Sequence, residues 1–279
     1  MRRFPELDID TIRATRDALH AYARVPGDLL KLQRPRRKHW WHASLRPSLT
    51  GLTTDVIHGR VDYEIELNLR DSAFCARTAT GGQLHEALHG QPAAELALKL
   101  SNFLESEGAT GRDAAAGAAD RFPDYSQYAA AKLGQAFSAA AGAMAGFRAG
   151  IREETSPIQL WPHHFDLSMI WLPGAKIPGE DPADEEHSDK QMNFGFVFGD
   201  EGIDEPYFYV TAHPLPEELT AVELPAGTVW KSDGFSGAVL LYKDLLAMDD
   251  PAAYLQGLWS RLYAAGRVYL KTDETRERA

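Results

Sequence analysis

The chain has 279 residues, of which 44% are hydrophobic and 25% charged, a composition typical of a folded globular protein. Its formal charge of -11 argues against a nucleic-acid partner, because an acidic surface repels phosphate backbones. Cys75 is the only cysteine, which excludes intrachain disulfides and CxxC-type zinc sites. The sequence has neither the apolar core of a signal peptide nor an apolar run of membrane-span length, so we expect a cytoplasmic protein with no membrane partner.

In the first half of the chain, the sequence predicts a helix, then a group of strands, then two further helices. Apolar residues at helical spacing predict a helix over residues 8–27, ending at the Val-Pro-Gly step. The basic segment RPRRKHWWH, residues 34–42, is typical of a solvated linker. Residues 39–82 carry strand signals, with apolar and polar residues alternating around residues 63–70. Residues 83–107 and 124–150 are then predicted to be helical.

The second half is richer in strands. Residues 160–172 and 191–213 predict three strands, and residues 228–241 one or two more. Between them lies an acidic loop, residues 179–190, for which a solvated segment and a lid are the alternatives. Pro251 opens a final helix. These elements predict an α+β fold, with an antiparallel sheet or open barrel and helices packed outside.

A weak internal repeat suggests how the strands are arranged. The sequence HWWHASLRPS aligns with WPHHFDLSMI, so that His42 falls on His164. We therefore expect a single domain over residues 1–279, built of two similar halves at about 28–150 and 151–270 behind an N-terminal helix. Chance similarity is the alternative. A true duplication would bring the two aligned histidines toward each other.

The stretch LWPHHFDLSMIWLPG, residues 160–174, places two adjacent histidines in an apolar run. In a continuous strand, successive side chains point to opposite faces. His163 then lies with the aromatic residues, whereas His164 shares the other face with Asp166 and Ser168. This alternation predicts that the two histidines point in opposite directions.

Four interpretations of this polar row stay open. It can be a metal site, in which His164 and Asp166 are joined by His42 or His213. It can be an acid–base or nucleophilic site with a nearby serine, although neighbours at i and i+2 lie about 6.5–7 Å apart, too far for a direct triad. It can also be a buried hydrogen-bonded row that only holds the structure together. The fourth interpretation is a non-catalytic ligand pocket with aromatic walls.

Residues 85–89 read HEALH, which matches the H-E-x-x-H pattern of zinc proteases. On a helix, the two histidines would lie on one turn and the glutamate would act as the base. No third ligand is evident in the sequence, and Gly90 and Pro92 interrupt a helix at once. A helix surface that carries two histidines is the alternative.

Two motifs in the second half resemble the DUF5996 family of uncharacterised bacterial proteins. They are W-P-x-H-F-D within residues 160–174 and G-D-x-x-x-x-E-P-Y-F-Y within residues 194–210. The resemblance extends from about residue 28 to the last helix. It implies a soluble bacterial protein of unknown activity and supplies no catalytic residue.

The sequence thus favours recognition of a small molecule in a cleft between the two halves, with catalysis left open. A metal-dependent enzyme and a non-catalytic structural or interaction protein are the alternatives. The candidate catalytic residues are His164 and Asp166, and the candidate ligand-binding residues are His42, Arg46, Trp161, Tyr209 and His213. The sequence assigns no cofactor, metal or oligomeric state.

Overall fold

The computed structural model describes residues 4–109 and 118–271. The helices are α1 (Ile9–Gln33), α2 (Ala93–Ser106), α3 (Gln127–Arg148), α4 (Glu185–Ser188), α5 (Glu217–Thr220), α6 (Tyr242–Leu246) and α7 (Pro251–Tyr269), with 3-10 turns at Lys38–Ala43. The strands are β1 (Arg46–Pro47), β2 (Gly51–Thr53), β3 (Tyr63–Asn68), β4 (Ala73–Thr78), β5 (Gln83–Ala87), β6 (Glu154–Thr155), β7 (Gln159–Trp161), β8 (Asp166–Leu172), β9 (Gln191–Val197), β10 (Tyr207–His213), β11 (Thr228–Lys231) and β12 (Gly237–Leu241). The α+β prediction is confirmed, and the sheets are open and antiparallel.

The chain forms two compact units. Unit 1 comprises Met1–Ala139 and Gln159–Asp166, and unit 2 comprises Ala140–Ile158 and Leu167–Ala279. The chain therefore passes between the units three times: within α3, just before β7 and within β8. The predicted duplication into two similar halves stays a prediction. Within the two described ranges, no helix has the length and apolar character needed to cross a membrane.

Unit 1 contains a five-stranded sheet in the order β1-β2-β3-β4-β5. Strand β3 alternates buried and half-buried residues, which confirms the predicted alternation. Helix α1 buries an apolar face that includes Leu19 and Tyr22, and the Tyr22 hydroxyl donates to the carbonyl of Gln91 at 2.8 Å. The predicted end of α1 is wrong. The helix continues through Pro26 because the residues around this proline are buried, and tertiary packing offsets the lost backbone hydrogen bond.

The helix predicted from residue 83 is wrong over its first part. Residues 83–87 form the edge strand β5, which pairs with β4 and alternates exposed and half-buried residues. His85 and His89 therefore do not share a helical turn, so the geometry required by the H-E-x-x-H motif is absent from this segment. Instead, the Nδ1 atom of His85 lies 3.4 Å from the Sγ atom of Cys75 on β4. The helix begins only after Pro92, as α2.

Unit 2 contains a sheet in which the strands follow the order β11-β12-β10-β9-β8-β6. Helix α7 begins with Pro251 at its first turn, as predicted, and the side chain of Asp250 accepts a hydrogen bond from the backbone N–H of Ala253 at 3.0 Å. The core is aromatic: Trp259 of α7 lies 6.1 Å from Phe208 and 5.6 Å from Phe147, between ring centroids. These large buried rings supply much of the apolar area that stabilises unit 2.

Within unit 2, Glu153 contacts residues at the end of α7 and just beyond it. Its carboxylate accepts a hydrogen bond from Lys271 Nζ at 2.5 Å and another from the Tyr263 hydroxyl at 2.5 Å. Arg267 Nε lies 3.1 Å from the same carboxylate. The hydrogen bond from Lys271, followed by that from Tyr263, lowers the pKa of Glu153 to about 2.

We expect Glu153→Gln to lower the free energy of unfolding by about 1 kcal/mol at pH 7, discounted for the part of the pair that water screens. A lowered carboxyl pKa stabilises the fold above about pH 4.5 and loses this contribution as pH falls toward about 2. The difference between wild type and variant should therefore shrink between pH 5 and pH 2.5 in urea unfolding. The exposed Glu201→Gln serves as the control, and a difference that is constant with pH would refute this role of Glu153.

Candidate functional site

Two distant segments of unit 1 meet through one antiparallel bridge. The N–H of Leu45 donates to the carbonyl of Leu160 at 3.0 Å, and the N–H of Leu160 donates to the carbonyl of Leu45 at 2.9 Å. Antiparallel neighbours run in opposite directions along the chain, so Arg46 lies beside Gln159. The bridge thus brings a charged side chain of the first segment against a buried amide of β7.

A hydrogen-bonded group forms around this pair. Arg46 Nη1 donates to Ser44 Oγ at 2.7 Å and to Gln159 Oε1 at 3.0 Å, and Arg46 Nη2 donates to the carbonyl of Trp41 at 3.3 Å. The hydroxyl oxygen of Ser44 lies 2.9 Å from both the Trp41 carbonyl oxygen and Gln159 Oε1. We refer to Trp41, Ser44, Arg46 and Gln159 as the arginine–tryptophan cluster.

Two donors of the arginine–tryptophan cluster are buried with no hydrogen-bond partner among the described residues. They are Nε2 of Gln159, whose residue is 0% exposed, and the indole Nε1 of Trp41. Rotating the Gln159 amide does not resolve this, because it would turn the amide nitrogen toward the N–H groups of Arg46. A buried donor without an acceptor costs about 1–3 kcal/mol. An acceptor atom that reached these two donors would therefore stabilise the cluster.

The cluster lies in a strongly basic part of an acidic chain. Between Asp28 and Asp55 there are six lysines and arginines and no acidic residue. Arg34 donates to the carbonyls on either side of Asp55, and Asp55 Oδ2 lies 3.7 Å from Arg46 Nε. The pKa of Arg46 is lowered to about 10, chiefly by burial and also by Arg34 and Arg37, while Asp55 opposes these effects. Arg46 stays charged at neutral pH, next to other cations.

His42 lies in the same segment as a buried, neutral imidazole. It is 4% exposed, and its Nδ1 atom accepts a hydrogen bond from the backbone N–H of Arg37 at 3.2 Å. Burial lowers the pKa of His42, and the charges of Arg36 and Arg34 lower it further. Because Nδ1 acts as an acceptor, the ring proton of the neutral form is on Nε2. His42 therefore adds a further N–H donor to this region.

The segment that carries Trp41 and His42 does not form the strand predicted from the sequence. Residues 38–43 form 3-10 turns, and His39 and Trp40 adopt left-handed backbone angles, with φ of 48° and 57°. A left-handed conformation costs a non-glycine residue about 1–2 kcal/mol. Lys31 and Arg36 lie over the Trp40 ring at 5.3 and 5.1 Å from its centroid, which favours this conformation through cation–π attraction.

The strand predicted for residues 160–172 is interrupted, and the alternation argument for its histidines is wrong. Residues 162–165 form a turn, in which the N–H groups of His164 and Phe165 both donate to the carbonyl of Trp161, at 3.2 and 2.7 Å. Pro162 has no N–H and so cannot continue the strand pairing. The rings of His163 and His164 are 4.3 Å apart between centroids, side by side and not on opposite faces.

The turn also contacts α1. His20 Nε2 lies 3.1 Å from the carbonyl of His163, and the His20 ring stacks on Phe165 at 5.6 Å between centroids. The pKa of His163 is lowered to about 4, chiefly by desolvation of its ring and also by the neighbouring His164 and His20. Although His163 is exposed as a residue, its imidazole is thus held neutral at pH 7.

Replacing His163 with glutamine should make the protein less sensitive to acid. A histidine pKa below the usual 6.5 means that the folded state binds the proton less well than the unfolded state, so stability is lost as pH falls from about 6.5 to about 4. His163→Gln removes this loss. The unfolding midpoint of the variant should rise relative to wild type between pH 7 and pH 4.5, and that of the exposed control His89→Gln should not. Parallel curves for His163→Gln and wild type would contradict this expectation.

The other sequence-predicted site residues lie in several places. Asp166 is buried at the start of β8 in unit 1. In unit 2, the ring of Tyr209 lies directly over Gly195, where a Cβ atom would come within 2.1 Å of the Tyr209 ring. His213 is exposed at the end of β10, and its Nε2 atom lies 3.2 Å from the carbonyl of His187 in the acidic loop. The predicted cleft between the halves stays a prediction.

The structure therefore brings together only part of the predicted set. His42 and Arg46 belong to one basic region, whereas His164 belongs to the turn and Trp161 ends β7 just before it. Within residues 4–109 and 118–271, no group of three or more histidine, cysteine, aspartate or glutamate side chains is arranged to hold a metal ion. Sequence reasoning missed Gln159, whose only signal is a polar residue inside the apolar run PIQLW.

Comparison with known proteins gives one match. The model of a protein family described as "Family of unknown function (DUF5996)" matches residues 4–277, nearly the whole chain. No curated protein matches the chain, and no solved structure does so. The site therefore has to be interpreted from its own geometry.

Proposed function

Because the chain belongs to DUF5996, a family of unknown function, we propose its function from the geometry of the site: unit 1 binds a small polar molecule at the arginine–tryptophan cluster. The observation that supports this proposal is the pair of buried donors, Gln159 Nε2 and Trp41 Nε1, which have no protein acceptor among the described residues. Small-molecule sites typically combine apolar or aromatic walls with a few fixed polar groups of this kind.

The donors are held in place before any ligand binds. Gln159 Oε1 is fixed by Arg46, which leaves Nε2 pointing away from the guanidinium group. Ser44 connects the amide of Gln159 to the backbone of Trp41. A preorganised set of donors loses little conformational entropy on binding, so its hydrogen bonds contribute more fully to affinity.

The chemistry of the cluster favours recognition over catalysis. The hydroxyl of Ser44 contacts two acceptors and the Arg46 guanidinium, so no general base is placed to activate it. Nδ1 of His42 is occupied by the N–H of Arg37, and Asp55 faces Arg46. We therefore propose binding without covalent chemistry, in a cytoplasmic protein.

Equilibrium dialysis tests this proposal. The purified protein is dialysed against the small-molecule fraction of a bacterial extract, and the retained compounds are identified by mass spectrometry after denaturation. We expect wild type to retain a small molecule that Trp41→Phe retains much less, since this change keeps an aromatic ring and removes only the indole N–H. Trp230→Phe is the matched control, because the Trp230 indole already donates to the carbonyl of Val222. Equal retention by wild type and Trp41→Phe, or no retention at all, would refute the proposal.

A further inference from the structure

We infer that the molecule bound at the arginine–tryptophan cluster carries an oxyanion, either a carboxylate or a phosphate group, which accepts hydrogen bonds from Trp41 Nε1 and Gln159 Nε2 beside Arg46. This inference rests on the proposed function and specifies the chemical class of its ligand. It follows from an account of donors and acceptors and from the local charge, each of which points to the same class.

The donors and acceptors of the cluster do not balance. Gln159 Oε1 and the Trp41 carbonyl oxygen each receive an Arg46 N–H, and the one hydroxyl proton of Ser44 is donated to either of them. The amide of Gln159 retains two N–H donors on Nε2, and Trp41 retains one on Nε1. Arg46 makes one hydrogen bond through Nη2, which carries two protons. The surplus therefore consists of donors.

A surplus of donors selects an acceptor-only group. A sugar hydroxyl or an amide would bring its own donors, whereas both unpartnered buried atoms of the cluster are themselves donors. Carboxylate and phosphate oxygens accept only, and they match the planar fork of an arginine. Hydrogen bonds to a charged acceptor are also roughly twice as strong as those between neutral groups.

The local charge points the same way. Arg34 and Arg37 repel the charge of Arg46, and Asp55 attracts it. Asp55 also keeps much of its surface in water, with a side chain that is 58% exposed. A bound anion would reduce the repulsion among the three arginines, in a protein whose overall charge of -11 otherwise repels anions.

Thermal unfolding with defined salts tests the inference. The probes are sodium phosphate, sodium acetate and neutral acetamide, each compared with sodium chloride at equal ionic strength. We expect phosphate or acetate, at ten times its dissociation constant, to raise the Tm by about 3 °C beyond chloride. Acetamide should raise it by less than about 1 °C at the same concentration. The larger response between phosphate and acetate identifies which oxyanion the cluster prefers.

Two variants show whether the response comes from the cluster. Gln159→Glu keeps an acceptor for Arg46 and replaces the buried donor with a carboxylate oxygen, so the protein should fold but lose the oxyanion response. Trp41→Phe should weaken oxyanion binding about tenfold, because one hydrogen bond to a charged group is lost. Trp230→Phe should respond as wild type does.

The outcomes separate this inference from the proposed function. If dialysis recovers a small molecule that depends on Trp41, but acetamide stabilises as well as acetate, the oxyanion inference is wrong and the binding function stands. If dialysis recovers nothing, both are wrong. An equal oxyanion response in wild type and Gln159→Glu would show general charge screening and would overturn the inference. If neither phosphate nor acetate raises the Tm of the wild type beyond chloride, the inference is wrong and water satisfies the two donors.

Discussion

Replacing Arg46 with leucine is expected to lower the free energy of unfolding by about 2–4 kcal/mol. The substitution removes the donors that reach the Trp41 carbonyl, Ser44 Oγ and Gln159 Oε1. Ser44 and Gln159 are both 0% exposed, so water cannot replace the lost hydrogen bonds without entering the core. The Ser44 hydroxyl can still donate to one of the two acceptors, which keeps the loss below the sum of the individual bonds.

Comparison with a lysine variant separates the charge of Arg46 from its shape. Arg46→Lys keeps the positive charge beside Asp55 but cannot reach several acceptors from one planar group, so we expect about half the loss of Arg46→Leu. The exposed Arg60→Leu is the matched control and should change stability by no more than about 0.5 kcal/mol. Urea unfolding measures all three. An Arg46→Leu variant as stable as the control would show that the cluster does not contribute to the fold.

Replacing Gly27 with alanine should destabilise the protein by about 1–3 kcal/mol, although alanine is the better helix former. Gly27 lies within α1, and a Cβ atom built there would come 2.5 Å from both Cβ and Cγ of Pro162. The proline ring cannot rotate away as a long side chain would, so the helix or the turn at residues 162–165 has to move. Gly27 thus permits the close approach that positions the turn against α1.

The same substitution elsewhere provides a control of opposite sign. Gly142 lies in α3, and a Cβ atom there would meet no other atom within 4 Å. Gly142→Ala should therefore stabilise the protein by about 0.5–1 kcal/mol through helix propensity alone. Urea unfolding of both variants measures the contrast. Stabilisation of similar size at both positions would show that Gly27 does not make a close contact with Pro162.

Local sequence patterns correctly predicted the elements in which apolar residues recur at one regular spacing along the whole strand or helix. The alternation in β3 and the proline-initiated helix α7 both appear as expected, because each exposes one face to the core along its whole length. The same patterns gave a wrong prediction where tertiary contacts outweigh local helix propensity. At residues 83–87 the residue types favoured a helix, but hydrogen bonding to β4 holds them as an edge strand.

The histidine pair shows a second kind of failure. Adjacent side chains point apart only in a continuous strand, and Pro162 ends β7 just before His163 and His164. The proline was visible in the sequence, but its effect depends on whether the chain turns or continues at that point. Here it turns, and the two imidazoles lie together.

The candidate site was accessible only in part from the sequence. His42 and Arg46 were identified as ligand-binding candidates because histidine and arginine beside tryptophan suit a polar pocket. The importance of Gln159 depends on a bridge to a segment 115 residues away, between its side chain and Ser44. No local pattern encodes such a contact, and none indicates that the Gln159 and Trp41 donors are left without acceptors.

We propose that the buried N–H groups of Trp41 and Gln159 bind a ligand that supplies an acceptor. The most direct measurement is the 1H–15N NMR spectrum of the full chain during titration with sodium phosphate and sodium acetate at constant ionic strength. The Trp41 indole is assigned by its absence in Trp41→Phe. We predict that this indole proton and the Gln159 side-chain amide shift saturably downfield with at least one of the two anions, while the Trp230 indole stays in place. A Trp41 indole resonance that does not move with either anion would contradict the claim.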